Sequence, residues 1–154
     1  MINITILAIG KVRQNYVSIA INEYLERLAP YGKIKIEELK AEKFTEHNRE
    51  QAKQKEAERI SEYLTKRSGS RVIIMDERGK LVNSPDFSRL IDLEQKPIIF
   101  VIGGALGLAE NIKRGYKEHI SLSSLTLPHE MARLILTEQI YRGATIAMNK
   151  IYHY

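Results

Sequence analysis

The 154-residue chain has no cysteine. That excludes disulfides, thiolate metal sites, iron–sulfur clusters and cysteine nucleophiles, and it fits a reducing compartment. Nor is there an apolar run near the roughly 20 residues that a membrane span needs. The opening stretch MINITILAIGKVRQ has no basic region ahead of its apolar run and no small-residue cleavage site after it. It alternates like a strand and lacks the form of a signal peptide. No membrane contact and a cytoplasmic location are therefore expected. Repeats, low-complexity segments and linkers are also missing, so residues 1–154 are expected to form one domain. The four histidines are scattered, with no spacing that suggests a metal site. Ser121, Ser123 and Ser124 have neither an elbow motif nor an acid partner in sequence, which disfavours a hydrolase triad. The only one-sided excess of charge is small. A net charge of +5 and a pI of about 9.4 make a polyanionic partner reasonable. That excess is spread evenly, with 13 basic and 10 acidic residues in 1–70 against 11 and 9 in 71–154.

What is present alternates between two periodicities. Ile2–Ile9 alternates up to Gly10 and reads as a strand, as does Ile34–Leu39. Arg71–Asp76 and Pro97–Ile102 are continuous apolar runs, as expected of strands covered on both faces, and His119–Leu122 is a short last strand. Helical spacing marks Tyr16–Leu28, the charge-rich stretch 46–67, Pro85–Leu93, Glu110–Glu118 and a final helix from Pro128 to about Met148. Strands alternating with helices predict an α/β fold: a mostly parallel sheet with helices on both faces.

In such sheets ligands bind where loops leave the carboxyl ends of the strands. Three ends stand out: Met75-Asp76, Gly103–Gly107 and Ser121–Leu127. The spacing of Gly103-Gly104-Ala105-Leu106-Gly107 matches neither the dinucleotide fingerprint nor the phosphate loop, and no lysine follows to pair with phosphates. A tight turn without a ligand fits these glycines as well as a binding loop does. If they do bind, the ligand is better uncharged or zwitterionic than a nucleotide triphosphate.

The last helix carries the most information. At about 100° per residue, Met131, Leu134, Ile135, Tyr141, Thr145 and Met148 share one broad face, with Leu136 and Ile140 opposite. A helix apolar nearly all round is expected to be buried by the core and by a partner subunit. Glu138 and Arg142, four residues apart in the first face, form either a structural ion pair or part of a site. His47 reads as surface and His119 as structural, whereas His129 could hold the preceding loop or act in catalysis.

Three segments, FVIGGALGL, SLSSLTLPHEMAR and TEQIYRGATIAMNKIYHY, occur together and in order between Ile98 and Tyr154. With an opening strand ending in A-I-G-K and a central strand ending in M-D before a G-K turn, the chain closely resembles one bacterial family along its whole length. It is the large-subunit rRNA pseudouridine N3-methyltransferases, the ribosomal RNA large subunit methyltransferase H group of the SPOUT class. The resemblance implies a C-terminal trefoil knot, a feature no periodicity would predict. It implies S-adenosylmethionine held by Met75, Gly103, Gly104 and the loop Leu122, Ser123, Ser124, Leu125, Thr126 and Leu127, in a site completed by the second subunit of a homodimer. The implied substrate is a pseudouridine in an intersubunit-bridge stem-loop of 23S rRNA, presented by an assembled ribosome. Arg142 with Tyr152 and His153 of the tail are expected to orient the base and absorb its developing charge, with His129 positioning the cofactor loop or relaying a proton. Members often end in a basic residue, where this chain has Tyr154. Two other classes remain open on sequence: a ribosome-binding module without catalysis, and a flavodoxin-like small-molecule enzyme.

Overall fold

A computed structural model describes residues 1–92 and 96–152. Its elements alternate as β1 (Ile2–Ile9), α1 (Asn15–Leu28), β2 (Gly32–Leu39), α2 (Arg49–Thr65), β3 (Arg71–Leu81), α3 (Ser84–Asp92), β4 (Ile98–Ile102), α4 (Glu110–Gly115), β5 (His119–Ser121) and α5 (His129–Ala147). The five strands form one parallel sheet in the order β2-β1-β4-β3-β5. This is the α/β architecture the alternation predicts.

The continuous apolar strands are explained by the layers around them. Successive side chains of a strand point to opposite faces. Ile98, Phe100 and Ile102 of β4 therefore pack with Leu28 of α1, Phe87 and Ile91 of α3, and Leu136 and Ile140 of α5. Ile99 and Val101 face the other way, onto Ala57, Ile60 and Leu64 of α2 and Ile112 of α4. Connections that step one way along the sheet place α1 and α3 on the first face. Those that step the other way place α2 and α4 on the second, as crossovers of a single hand require.

One expectation changes. β3 runs on to Leu81 instead of ending at Asp76, with an irregularity in which Met75 and Lys80 both pair with Ile120 of β5. Asp76 folds that irregularity by accepting the Arg78 backbone N–H at 3.1 Å. At Gly79, a Cβ would sit 2.8 Å from the backbone of His119 and Ile120. Within one chain α5 is covered on its core side. Its deeply buried side is Arg133, Leu136, Thr137, Ile140, Ala144 and Thr145. Met131, Leu134, Ile135 and Tyr141 are only half-buried, and Met148 is exposed. The helix is thus not enclosed all round within the chain: α1 and α3 flank it, and the face holding Glu138 and Arg142 is the outer one. Among the described residues no helix is long and apolar enough to cross a membrane.

Candidate active site

The carboxyl ends of β3, β4 and β5 open into a cleft of about 410 Å³. That volume lies within the roughly 300–1,000 Å³ usual for ligand sites. One wall is the loop after β4. There Gly104 C=O accepts the Gly107 N–H at 3.0 Å, and Gly107 takes a φ of +71°, a conformation that favours glycine. Gly103 and Gly104 pack so closely that side chains would collide. A Cβ on Gly103 would lie 2.9 Å from the Gly107 carbonyl carbon, and one on Gly104 would lie 3.0 Å from Ile9 Cγ2. The other wall is the loop that carries the chain from the sheet edge at β5 back to α5. Ser121 Oγ donates to Ser123 C=O at 2.7 Å, Leu125 N–H donates to Ser123 Oγ at 2.9 Å, and Thr126 Oγ1 donates to Glu77 at 2.9 Å. Met75, Ile102, Leu122, Leu125 and Leu127 give the cleft its apolar lining.

Asp76 and Lys113 bring charge to its lining, with His119 behind Asp76. Burial works against the Asp76 carboxylate, but the Arg78 N–H, His119 and Lys113 outweigh it and hold its pKa below the usual carboxylate value. Lys113 Nζ lies 3.4 Å from Asp76. His119 Nε2 faces the carbonyls of Lys113 and Tyr116 at 2.9 and 2.8 Å, and Nδ1 faces Asp76 at 3.3 Å. Every neighbour of the ring is an acceptor, which suits the doubly protonated imidazolium. Burial lowers the His119 pKa, and these acceptors more than offset it, so the net shift is upward.

The N-terminus of α5 is clamped to the ends of β1 and β2. Arg133 is only 1 % exposed. It donates from Nη1 to Glu38 at 2.7 Å and from Nη2 to Gly10 C=O at 3.1 Å. One turn earlier, Glu130 Oε1 accepts the backbone N–H groups of Arg13 and Gln14 at 2.8 and 3.1 Å. Burial opposes the Glu130 charge, but these donors keep its pKa below the ordinary glutamate value. His129 lies between the clamp and the cleft and lines the latter.

A separate cluster sits at the far end of α5. Arg142 donates from Nη2 to Glu138 at 2.7 Å and lies 4.8 Å from the centroid of the Tyr152 ring. Tyr152 also donates its hydroxyl to Glu138 at 3.2 Å and packs edge-on to Tyr141. Burial, the Tyr24 hydroxyl and the Glu138 charge together push the Tyr152 phenol above its usual range, so it is a donor at neutral pH. At 1.5 Å per residue, Arg142 lies roughly 20 Å along the helix from His129.

The structure therefore gathers Met75, Gly103, Gly104, Leu122, Ser123, Leu125, Leu127 and His129 around one cleft. Ser124 and Thr126 belong to its loop but do not line it, and Arg142 and Tyr152 lie elsewhere in the same chain. His153 and Tyr154 fall outside the described residues. Sequence reasoning missed Glu77, Leu108, Lys113 and Pro128 as lining residues, and it missed Arg133 altogether. A basic residue at the core spacing of an apolar helix was the available signal for Arg133. Among the described residues no group of His, Asp and Glu could hold a metal ion.

This geometry has relatives. Residues 2–153 match the family model described as predicted SPOUT methyltransferase. The chain is 43% identical over 156 residues to the ribosomal RNA large subunit methyltransferase H of Dictyoglomus thermophilum, covering 99% of both chains. It is 38% identical over 161 residues to that of Desulforamulus reducens, again covering 99% of each. Among solved structures, a methylase-family protein from Haemophilus influenzae aligns with a TM-score of 0.59 at 16% identity, over 99% of this chain and 71% of that one. A methyltransferase from Legionella pneumophila, solved with SAM as bound cofactor, aligns with a TM-score of 0.55 at 13% identity, over 93% of this chain and 66% of that one. With the parallel sheet and the glycine-walled cleft in place, the full-length match shows that the chain belongs to the SPOUT methyltransferase family.

Proposed function

We propose that the protein is an S-adenosylmethionine-dependent rRNA methyltransferase that methylates N3 of a pseudouridine in a bridge stem-loop of 23S rRNA. What carries the reading is the end-to-end identity to proteins named ribosomal RNA large subunit methyltransferase H. It acts in the cytoplasm on assembled ribosomes, as one SPOUT domain over residues 1–154. The C-terminal segment is knotted. In support, β5 lies at the sheet edge, yet the helix that follows it packs between α1 and α3.

The cleft fits the cofactor. Gly103 and Gly104 let the loop after β4 pack tightly enough against Leu108 and Ile9 to form one wall, and Met75, Ile102, Leu122 and Leu127 offer apolar walls to an adenine ring. Glu77 provides negative charge for a cationic ligand. When bound, S-adenosylmethionine supplies an electrophilic methyl group on a sulfonium.

The chain's own residues must then prepare the acceptor. N3 of a neutral pseudouridine carries a proton, and as it leaves, negative charge builds on the ring. Arg142 absorbs that charge, the Tyr152 ring stacks on the splayed base, and His153 shares the tail's role of orienting it. The Tyr152 hydroxyl donates to Glu138 and its pKa is raised, which disfavours it as the proton acceptor. His129, at the cleft, positions the cofactor loop or relays the proton. A separation of roughly 20 Å along α5 keeps Arg142 away from the cleft of its own chain. A homodimer resolves this, with one subunit's Arg142 and tail meeting the other's cleft. The half-buried Met131, Leu134, Ile135 and Tyr141 on the outer face of α5 support such a partner.

The experiment is methyl transfer by Arg142→Ala and by a chain ending at Ile151, each with cofactor binding measured in parallel. Binding retained with turnover lost is the expected result. Normal turnover by either protein would remove the role given to that element.

A further inference from the structure

The loops after β1 and β2 carry Lys11, Arg13, Lys40 and Lys43, all exposed. They lie side by side: Gly10 N–H donates to Leu39 C=O at 2.7 Å, Val12 N–H donates to Glu38 at 3.2 Å, and a Cβ on Gly10 would touch Ala41 at 3.4 Å. None of the four cations has an ion-pair partner among the described residues. The nearby carboxylates, by contrast, are committed. Glu38 is taken by Arg133, Glu42 by Arg59 and Glu46 by Arg49, while Glu130 keeps its charge but turns it to the backbone N–H groups of Arg13 and Gln14. A nearly neutral local sequence thus becomes a rim of unpaired positive charge. The rim adjoins the cleft, because Gly104 packs on Ile9 and the helix that carries His129 is tied through Glu130 to the Arg13 backbone. Phe44, 39% exposed, follows Lys43 at the same edge, with the Arg49 guanidinium over its ring at 5.6 Å from the centroid.

We infer that this rim grips the phosphate backbone of the substrate RNA next to the nucleotide being modified. The inference rests on the reading of the protein as an rRNA methyltransferase. Phosphate contacts set register and orientation without reading bases, which is what a row of exposed lysines and one arginine can do. An exposed aromatic among such cations suits an unpaired base. The contacts also predict a salt signature: each phosphate neutralised adds about 0.7 to 0.9 to the slope of log affinity against log salt.

The test compares three proteins: the unaltered chain, a rim variant with Lys11, Arg13, Lys40 and Lys43 all changed to Ala, and a control with Lys33, Lys66, Lys80 and Lys117 changed to Ala. Both variants lose the same charge, and the control residues are exposed on other parts of the surface. Binding to a protein-free large-subunit rRNA transcript is titrated between 50 and 200 mM salt, and methyl transfer to ribosomes is measured alongside. The rim variant should flatten the slope by roughly 3, so that the unaltered chain loses about 60-fold more affinity than it does across that range. KM for ribosomes should rise while S-adenosylmethionine binding stays unchanged, and the control should follow the unaltered chain. If the fourfold variant misfolds, Lys40→Ala with Lys43→Ala should give half the slope change. Equal slopes in rim and control variants would overturn the rim while leaving the methyltransferase reading intact. So would a rim variant that loses affinity for ribosomes but not for the transcript, since the partner would then be a protein. An unaltered chain that neither binds the transcript nor methylates ribosomes would overturn the functional reading itself.

Discussion

Replacing Arg133 by Met keeps most of the side-chain volume and removes its charge and donors. The guanidinium is 1 % exposed, whereas its partner Glu38 is 35% exposed. Removing one member of a fully buried pair costs about 3–5 kcal/mol, because the other charge is stranded. Glu38 can turn part of itself to water, which lowers that figure, while the Gly10 carbonyl also loses its charged donor at 3.1 Å. The net expectation is about 3 kcal/mol, near the lower end of that range. For a chain of this size that corresponds to a fall in Tm of roughly 6–12 °C. Thermal and urea unfolding of Arg133→Met, Glu38→Gln and the double variant would measure it. The double variant should recover part of the loss, since neither charge is then left unpaired. Because Arg133 holds the first turns of α5 against β1, S-adenosylmethionine affinity should fall with stability. A loss below about 1 kcal/mol, the scale of an exposed pair, would refute the clamp.

Gly103→Ala should destabilise the protein by about 1–3 kcal/mol and weaken cofactor binding by calorimetry, because the new Cβ meets backbone on Gly107 and Leu108. Gly115→Ala, with nothing within 4 Å, is its control and should change stability little. The His119 pKa is raised above 6.5, so its stabilising contribution is complete below that value and is lost as pH rises through the folded-state pKa. Melting temperature should therefore decline on the alkaline side, and His119→Gln should flatten that decline; an unchanged slope would remove His119 as its source. Asp76, with its pKa lowered from 3.8, acts in the opposite sense, contributing above that value and losing its contribution as pH falls further. Tyr152→Phe keeps the ring and should slow turnover only a few-fold, with Tyr152→Ala far more harmful. A loss of about 100-fold or more in Tyr152→Phe, the scale of acid–base catalysis, would instead make the phenol a proton-transfer group.

Much of this was legible in the sequence because burial writes itself into apolar periodicity. Ile98–Ile102 has no polar side chain and is covered on both faces, and the glycine run after it does form a ligand-sized cleft. Helical spacing shows which residues of α5 align, not how deep each of them lies within one chain. Leu136 and Ile140 form the core side, whereas the broader stripe through Met131 and Tyr141 is left half-covered. Arg133 shows in the sequence only as a basic residue at core spacing; its partners, Glu38 and Gly10, lie 95 and 123 residues away and meet it only through the sheet topology. The extension of β3 past Asp76 likewise depends on Gly79 reaching the backbone of β5, a contact that no local pattern encodes.

The measurement that bears most directly on the central claim is transfer of labelled methyl from S-adenosylmethionine to assembled ribosomes lacking the modification, with mass mapping of the labelled nucleotide. The account predicts label on N3 of one pseudouridine in the bridge stem-loop of 23S rRNA. Cofactor binding without label on that nucleotide would contradict it.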